Sequence, residues 1–386
     1  MKTKSILEGY VNTFKFNPIE GRYITANHLE RFYDLCKAKL KVDTIGYSVE
    51  NREIKSITIG TGACKVFAWS QMHGNESTTT KGLIDFIHML LLDEAYYEWF
   101  TAKYTFVAIP ILNPDGAFHY TRVNANNVDL NRDALNQSQP ESIVLRTIYN
   151  TFKPDYCLNL HDQRTIYGFE DSDLPATFSF LAPAFNSNCD YNSTRLHAVN
   201  IINHIVNDIS DYLPNQIGRY DDAFNENCVG DYFTKQGTPA ILFEAGHFQN
   251  DYSREDVRKI VFLSLKSAFN RFIENVVVDV NLPKYLNIPQ NLSCFNDFIF
   301  ENFSFVENNS NKIINFALQY DEIVSEDTIV FKAKLVDFTT SNKRGHLYFN
   351  GLDFKDAEIQ GDLIKGAYAN FSIGNHIIFK EGIRIK

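Results

Sequence analysis

Long apolar runs are missing from this chain: none of its 386 residues falls in a stretch approaching the roughly 18 consecutive apolar positions of a spanning helix. No membrane partner is therefore expected. Blocks of basic charge are missing too, because 37 Lys and Arg are spread among 47 Asp and Glu for a net charge of −10. That balance argues against a nucleic-acid backbone or an anionic membrane as the main partner. The opening MKTKSILEGYVNTFKF turns polar within a few residues, without the continuous apolar segment and small-residue cleavage site of a signal peptide. A cytoplasmic location is expected, with a leader already removed as the open alternative.

Cysteine is sparse and unpaired in pattern. Cys36, Cys64, Cys157, Cys189, Cys228 and Cys294 are scattered with no C-x-x-C spacing, which excludes a disulfide framework or a thiolate zinc site. Internal repeats and low-complexity segments are absent, so neither a solenoid nor a disordered tract is indicated. What is present is a globular composition: 44% hydrophobic and 14% aromatic residues, enough to build a substantial core.

From about residue 25 to 276, short β-rich apolar runs alternate with segments of helical periodicity. The runs are 57–60, 66–70, 104–110, 156–160, 178–182 and 240–243, and the helical segments are 76–92, 141–152, 194–212 and 254–273. Strand followed by helix, repeated, predicts an α/β fold with a mostly parallel mixed sheet flanked by helices on both faces. Ligands of such sheets bind beyond the carboxyl ends of the strands. His73, Asn113, His161 and Glu244 each stand at or just after such an end. Residues 276–290 carry two prolines and no helical pattern, and read as a linker. Beyond it, short β-rich runs separated by Asn, Ser, Gly and Asp predict a small all-β module, expected as a sandwich. The predicted domains are therefore an α/β one over residues 1–280, which holds the candidate site residues, and a β-rich accessory one over 291–386.

His73-Gly74-Asn75-Glu76 follows an apolar strand and opens a helix, so imidazole and carboxylate can face one ion, with Gly74 relieving the tight backbone. Together with His161 they form the two-histidine, one-glutamate set of a catalytic zinc site that keeps a position open for water. His73 taken alone reads as a structural histidine. The second cluster is Asn113-Pro114-Asp115-Gly116, a turn sequence, followed by the block Thr121-Arg122 to Asn131-Arg132.

These motifs together resemble the zinc metallocarboxypeptidase family, which includes carboxypeptidases A, B, E and N and bacterial peptidoglycan-peptide relatives. Ile45 to Ile54 is similar to the family's Gly-x-Ser-x-Glu-Gly-Arg motif, with Asn51 where glycine is usual. Cys157 to His161 and Ile241 to Glu244 complete the resemblance, which covers about residues 40 to 270. It implies a carboxypeptidase-like fold, one zinc ion per chain held by His73, Glu76 and His161, and Glu244 as the base that accepts the proton of the attacking water. It further implies that Arg122 stabilises the oxyanion and that Asn131 and Arg132 clamp the terminal carboxylate of a peptide. Asp129 then orients His73 from behind. Tyr220 is the candidate for the family's mobile tyrosine, and a packing role stands equally with it.

At the step where a specificity residue often lies, Gly230 precedes Asp231-Tyr232 and supplies no charge. Asp221, Asp222 and Glu226 nearby either favour a basic substrate or form a solvated loop. The expected activity is a zinc-dependent carboxypeptidase acting on a peptide or amino-acid conjugate. A zinc-dependent deacylase of N-acyl amino acids, and a catalytically inactive peptide-binding protein of the same fold, remain the alternatives. Side-chain preference and oligomeric state are left open.

Overall fold

The computed structural model describes residues 9–10, 13–274, 280–307, 310–340 and 343–386. Two compact units emerge: one holds the chain up to Gln163 together with Ala176–Asn291, the other Arg164–Pro175 together with Leu292–Lys386.

The first unit is built on β1 (Lys41–Tyr47), β2 (Glu53–Ile59), β3 (Cys64–Ser70), β4 (Tyr104–Ile109), β5 (Tyr156–Asp162), β8 (Phe178–Leu181), β9 (Ile217–Arg219) and β10 (Ala240–Ala245). They form one mixed sheet in the order β1-β2-β4-β3-β5-β10-β8-β9. Its centre, β4-β3-β5-β10, is parallel, and antiparallel pairs lie outside it. The central strands are buried on both faces. In β3, Val66 and Ala68 enter one apolar core while Phe67 and Trp69 enter the other, following the two-residue side-chain period of a strand. This is why β3 reads as a continuous apolar run instead of an alternating one. The helices Thr78–Leu92 and Glu255–Arg271 cover the first face, with Phe86 stacked on Phe269 at 5.0 Å between ring centroids. On the other face, Tyr149 of the helix Pro140–Phe152 stacks on Phe233 at 3.8 Å.

After β3 the chain goes to β4 on one side and later to β5 on the other, so the order in which strands are added reverses between the parallel strands β3 and β5. Such a switch point leaves a crevice at the carboxyl ends of the two strands. His73 follows β3, and His161 is the penultimate residue of β5.

The second unit contains a hairpin, β6 (Tyr167–Phe169) and β7 (Ser172–Pro175), which the sequence placed within residues 1–280. It groups instead with the later residues because Leu292 and Ser293 of β11 (Leu292–Ser293) pair with Gly168 and Tyr167. The remaining strands are β12 (Phe295–Glu307), β13 (Ser310–Ser325), β14 (Thr328–Asp337), β15 (Arg344–Asn350), β16 (Glu358–Asp362), β17 (Asn370–Ile373), β18 (Ile377–Lys380) and β19 (Ile383–Arg384). They do not make the expected sandwich. One eight-stranded sheet runs β14-β13-β12-β16-β17-β18-β19 with β15 on β12, around a phenylalanine-rich interior. Its ends approach each other, since Ala333 of β14 donates its N–H to the Gly382 carbonyl at 2.8 Å, and the sheet is barrel-like.

The expected linker also differs. Its residues 276–279 lie outside the described ones, and Leu282–Leu286 is a short helix. Pro283 suits its first turn, and Asn281 caps it by accepting the Lys284 N–H at 2.9 Å. Among the described residues no helix is long and apolar enough to cross a membrane.

Candidate metal centre

The turn from β3 into the helix Thr78–Leu92 is shaped by backbone packing. A Cβ on Gly74 would lie 1.8 Å from the Gly116 carbonyl carbon, so only glycine fits where these two segments touch. The Asn113-Pro114-Asp115-Gly116 turn thereby supports the ligand turn. Asn113 accepts the Gly116 N–H at 2.8 Å and donates through Nδ2 to the Met72 carbonyl at 3.2 Å. Asp115 in turn accepts from Ser48 Oγ at 2.7 Å, the Glu50 N–H at 2.9 Å and Arg52 Nη1 at 2.6 Å. The similarity at residues 45–54 thus has a local physical meaning: it anchors the turn that props the ligands.

His73, Glu76 and His161 converge, with ligand atoms all within 4.8 Å of one another, and all three residues are nearly excluded from solvent. Glu76 Oε1 lies 2.9 Å from His73 Nδ1, and Oε2 lies 2.8 Å from His161 Nδ1. The two Nδ1 atoms are 3.1 Å apart. Asp129 Oδ1 sits 3.0 Å from His73 Nε2, so a proton on Nε2 leaves the Nδ1 lone pair facing inward.

The electrostatics favour a cation at this point. Burial lowers the His161 pKa and keeps that ring neutral. For Glu76, burial opposes ionisation, but the two histidines outweigh it and hold its pKa well below the usual carboxylate range. His73 is raised, because Glu76 and Asp129 overcome the effect of burial. Two inward imidazole nitrogens beside an ionised carboxylate are the donor chemistry of zinc. The residues present fit that ion.

Glu244, one residue before the end of β10, lies directly beside His161 of β5 as its register partner. Burial, then the charge of Glu76, pushes its carboxyl well above the ordinary range. Arg122 Nη1 reaches Glu76 Oε1 at 3.1 Å and its Nε reaches Asp129 Oδ2 at 3.1 Å, while about half of its side chain stays exposed. Asn131 and Arg132 lie on the short turn Leu130–Arg132, which Asp129 caps by accepting the Asn131 N–H at 2.9 Å. Asn131 Oδ1 accepts the Val229 N–H at 3.0 Å, and the exposed Arg132 donates through Nη1 to the Asn131 carbonyl at 2.7 Å. Tyr220 lies just past β9, which β8 separates from β10, and its N–H donates to the Phe180 carbonyl at 3.1 Å. Of the nearby acids, Asp222 pairs with Arg195 and Glu226 with Lys235.

One contributor was not apparent in the sequence. Asp162, next to His161, accepts the N–H groups of Thr78 at 2.7 Å and Thr79 at 3.0 Å, capping the helix that follows Glu76. One carboxylate thus ties the β5 ligand to the β3 ligands. The only sequence signal was an acid directly after a ligand histidine.

Fold and donor set together define an α/β protein with a candidate metal centre at the carboxyl ends of its central strands. Residues 25–172 match the zinc carboxypeptidase family model, and the resemblance carried by the motifs is borne out over that segment. Carboxypeptidase 2 of Trichophyton rubrum is 25% identical over 130 residues, 33% of this chain and 24% of that protein. Carboxypeptidase 2 of Trichophyton tonsurans is 24% identical over 130 residues, with the same coverage of 33% and 24%. The matched stretch spans about a quarter of the length of these relatives. Among solved structures, carboxypeptidase A from Helicoverpa armigera superposes with a TM-score of 0.53 at 18% identity, covering 72% of this chain and 82% of that one. A metallo-carboxypeptidase from Burkholderia cenocepacia gives 0.52 at 18% identity, covering 65% and 70%. The carboxypeptidase fold of the first unit is therefore established.

Proposed function

We propose that the protein is a zinc-dependent carboxypeptidase that hydrolyses the C-terminal peptide bond of a peptide, with one zinc ion per chain held by His73, Glu76 and His161. The observation that carries this reading is the convergence of those three side chains beside Glu244 at the switch point of the sheet. A zinc ion there supplies a Lewis acid and lowers the pKa of water toward about 7.

Glu244 takes the proton of the attacking water and delivers it to the leaving amine. Burial raises its affinity for a proton, which strengthens it as the acceptor in the first of these transfers. Arg122 places a fixed positive charge beside Glu76, where negative charge grows on the substrate carbonyl oxygen during attack. Arg132, exposed beside this group, receives the terminal carboxylate, and Asn131 assists through its side-chain amide.

The test is mass spectrometry of a mixed peptide library after incubation with the zinc-loaded protein, run beside N-acyl amino acids. Removal of single C-terminal residues from free but not amidated peptides supports the reading. Rapid deacylation with inert peptides would transfer the activity to amino-acid conjugates, and bound zinc with no turnover of either would leave a binding protein.

A further inference from the structure

The turn that carries His73 and Glu76 is gripped by a segment that precedes the family-matched residues 25–172. Gln71, two positions before His73, is fully buried, and its φ of +43° lies in the left-handed region that strains a non-glycine residue. Its side chain is fully engaged. Nε2 donates to the Ile24 carbonyl at 2.8 Å and to the Gly74 carbonyl at 2.8 Å, and Oε1 accepts from Thr80 Oγ1 at 2.9 Å. At the far end of the same turn, Ser77 Oγ donates to the Arg22 carbonyl at 2.6 Å. Two carbonyls of one segment, those of Arg22 and Ile24, therefore bracket the ligand turn on both sides.

That segment is itself fixed. Arg258 donates to the Ile19 carbonyl at 2.7 Å and the Phe16 carbonyl at 3.0 Å, and Asp85 accepts the Phe16 N–H at 2.8 Å. Arg258 and Asp85 are both fully buried and bonded to each other through two 2.6 Å contacts, which makes a rigid mount.

We propose that residues 16–24 form a strap whose carbonyls, acting through Gln71 and Ser77, set the spacing of His73 and Glu76, with Gln71 as a positioning residue for the metal centre. This rests on the zinc reading above. A glutamine amide that bridges strap and turn holds a backbone geometry that the turn would otherwise leave, much as outer groups orient metal ligands elsewhere.

The decisive variant is Gln71→Gly, because glycine keeps the left-handed backbone without strain while removing the tether. The zinc dissociation constant is measured by competition with a chromophoric chelator, and the visible spectrum is recorded with cobalt in place of zinc. Both are read at a temperature where circular dichroism shows the metal-free variant folded. The expected result is a roughly 10- to 100-fold weaker zinc affinity and an altered cobalt spectrum. Unchanged affinity and spectrum in the folded variant would overturn the proposal. If Gln71→Gly does not fold, Ser77→Ala removes only the second tether and is expected to weaken zinc several-fold, and wild-type affinity there overturns it equally. A wild-type protein that takes up no zinc would instead sink the zinc reading itself, a separate and recognisable failure.

Discussion

Glu244 and His161 are partners on adjacent parallel strands, at the same level of β10 and β5. A residue proposed to move a proton and a residue proposed to hold the metal are thus fixed relative to each other by the sheet, with no loop between them. Sites carried on strands hold their geometry better than sites carried on loops.

Glu244→Gln separates the two roles. The amide preserves size and should leave zinc content near wild type, while turnover falls by roughly 100- to 10,000-fold, the usual contribution of a general base. Metal analysis alongside kcat/KM checks this, and wild-type-like turnover in the variant would remove Glu244 from the reaction.

The chemistry of the centre was legible in sequence because His73 and Glu76 are local and each strand end announces itself by an apolar run. What supports them was not, because it depends on contacts distant in sequence: Gly74 against Gly116, Asp115 against Ser48 and Arg52, Gln71 against Ile24. The β-rich unit shows the same divide. Short β-rich runs separated by turn residues revealed its strands, but such runs do not specify which strand pairs with which, so a curled single sheet and a sandwich read alike.

Arg132→Ala addresses direction of attack on the chain. Removing charged hydrogen bonds worth about 1.5–3 kcal/mol should raise KM for peptides with a free terminal carboxylate by roughly 10- to 100-fold, with a smaller change in kcat. Amidated peptides, which lack the charge, should respond little. Equal cleavage of free and amidated peptides by the parent protein would remove the clamp assignment.

Gly74→Ala tests the backbone approach beneath the ligands. Its Cβ would overlap Gly116, which is itself crowded by the Asn113 side chain, so neither segment can yield cheaply. A loss of about 3 kcal/mol or more in urea unfolding is expected, with weakened zinc binding. A wild-type midpoint would mean that the two segments lie farther apart than described.

Arg258 and Asp85 are a fully buried ion pair, with Tyr10 also hydrogen-bonded to Asp85. Arg258→Met alone should destabilise the fold by about 3–5 kcal/mol, since Asp85 is then left charged and buried. Adding Asp85→Leu should recover part of that loss in urea unfolding, because no uncompensated charge remains. If the double variant is as unstable as the sum of the two single ones, the pair is not acting as a unit.

Glu255 predicts an acid limit to stability. It accepts from Lys81 and Arg258 and pairs with Lys15, and although burial opposes ionisation, these cations hold its pKa at about 2, below an ordinary 4.5. Between those values the unfolded chain binds a proton that the folded one does not, so stability falls as pH falls. The contribution is complete above about pH 4.5 and is lost progressively toward pH 2. Its size is on the order of 3 kcal/mol. Urea midpoints of the wild type and Glu255→Gln, measured from pH 6 downward in steps of about one unit, should therefore lie apart at the neutral end and converge at the acid end. A gap that stays constant across this window would mean that Glu255 titrates alike in both states, and that the cations around it do not favour its charge.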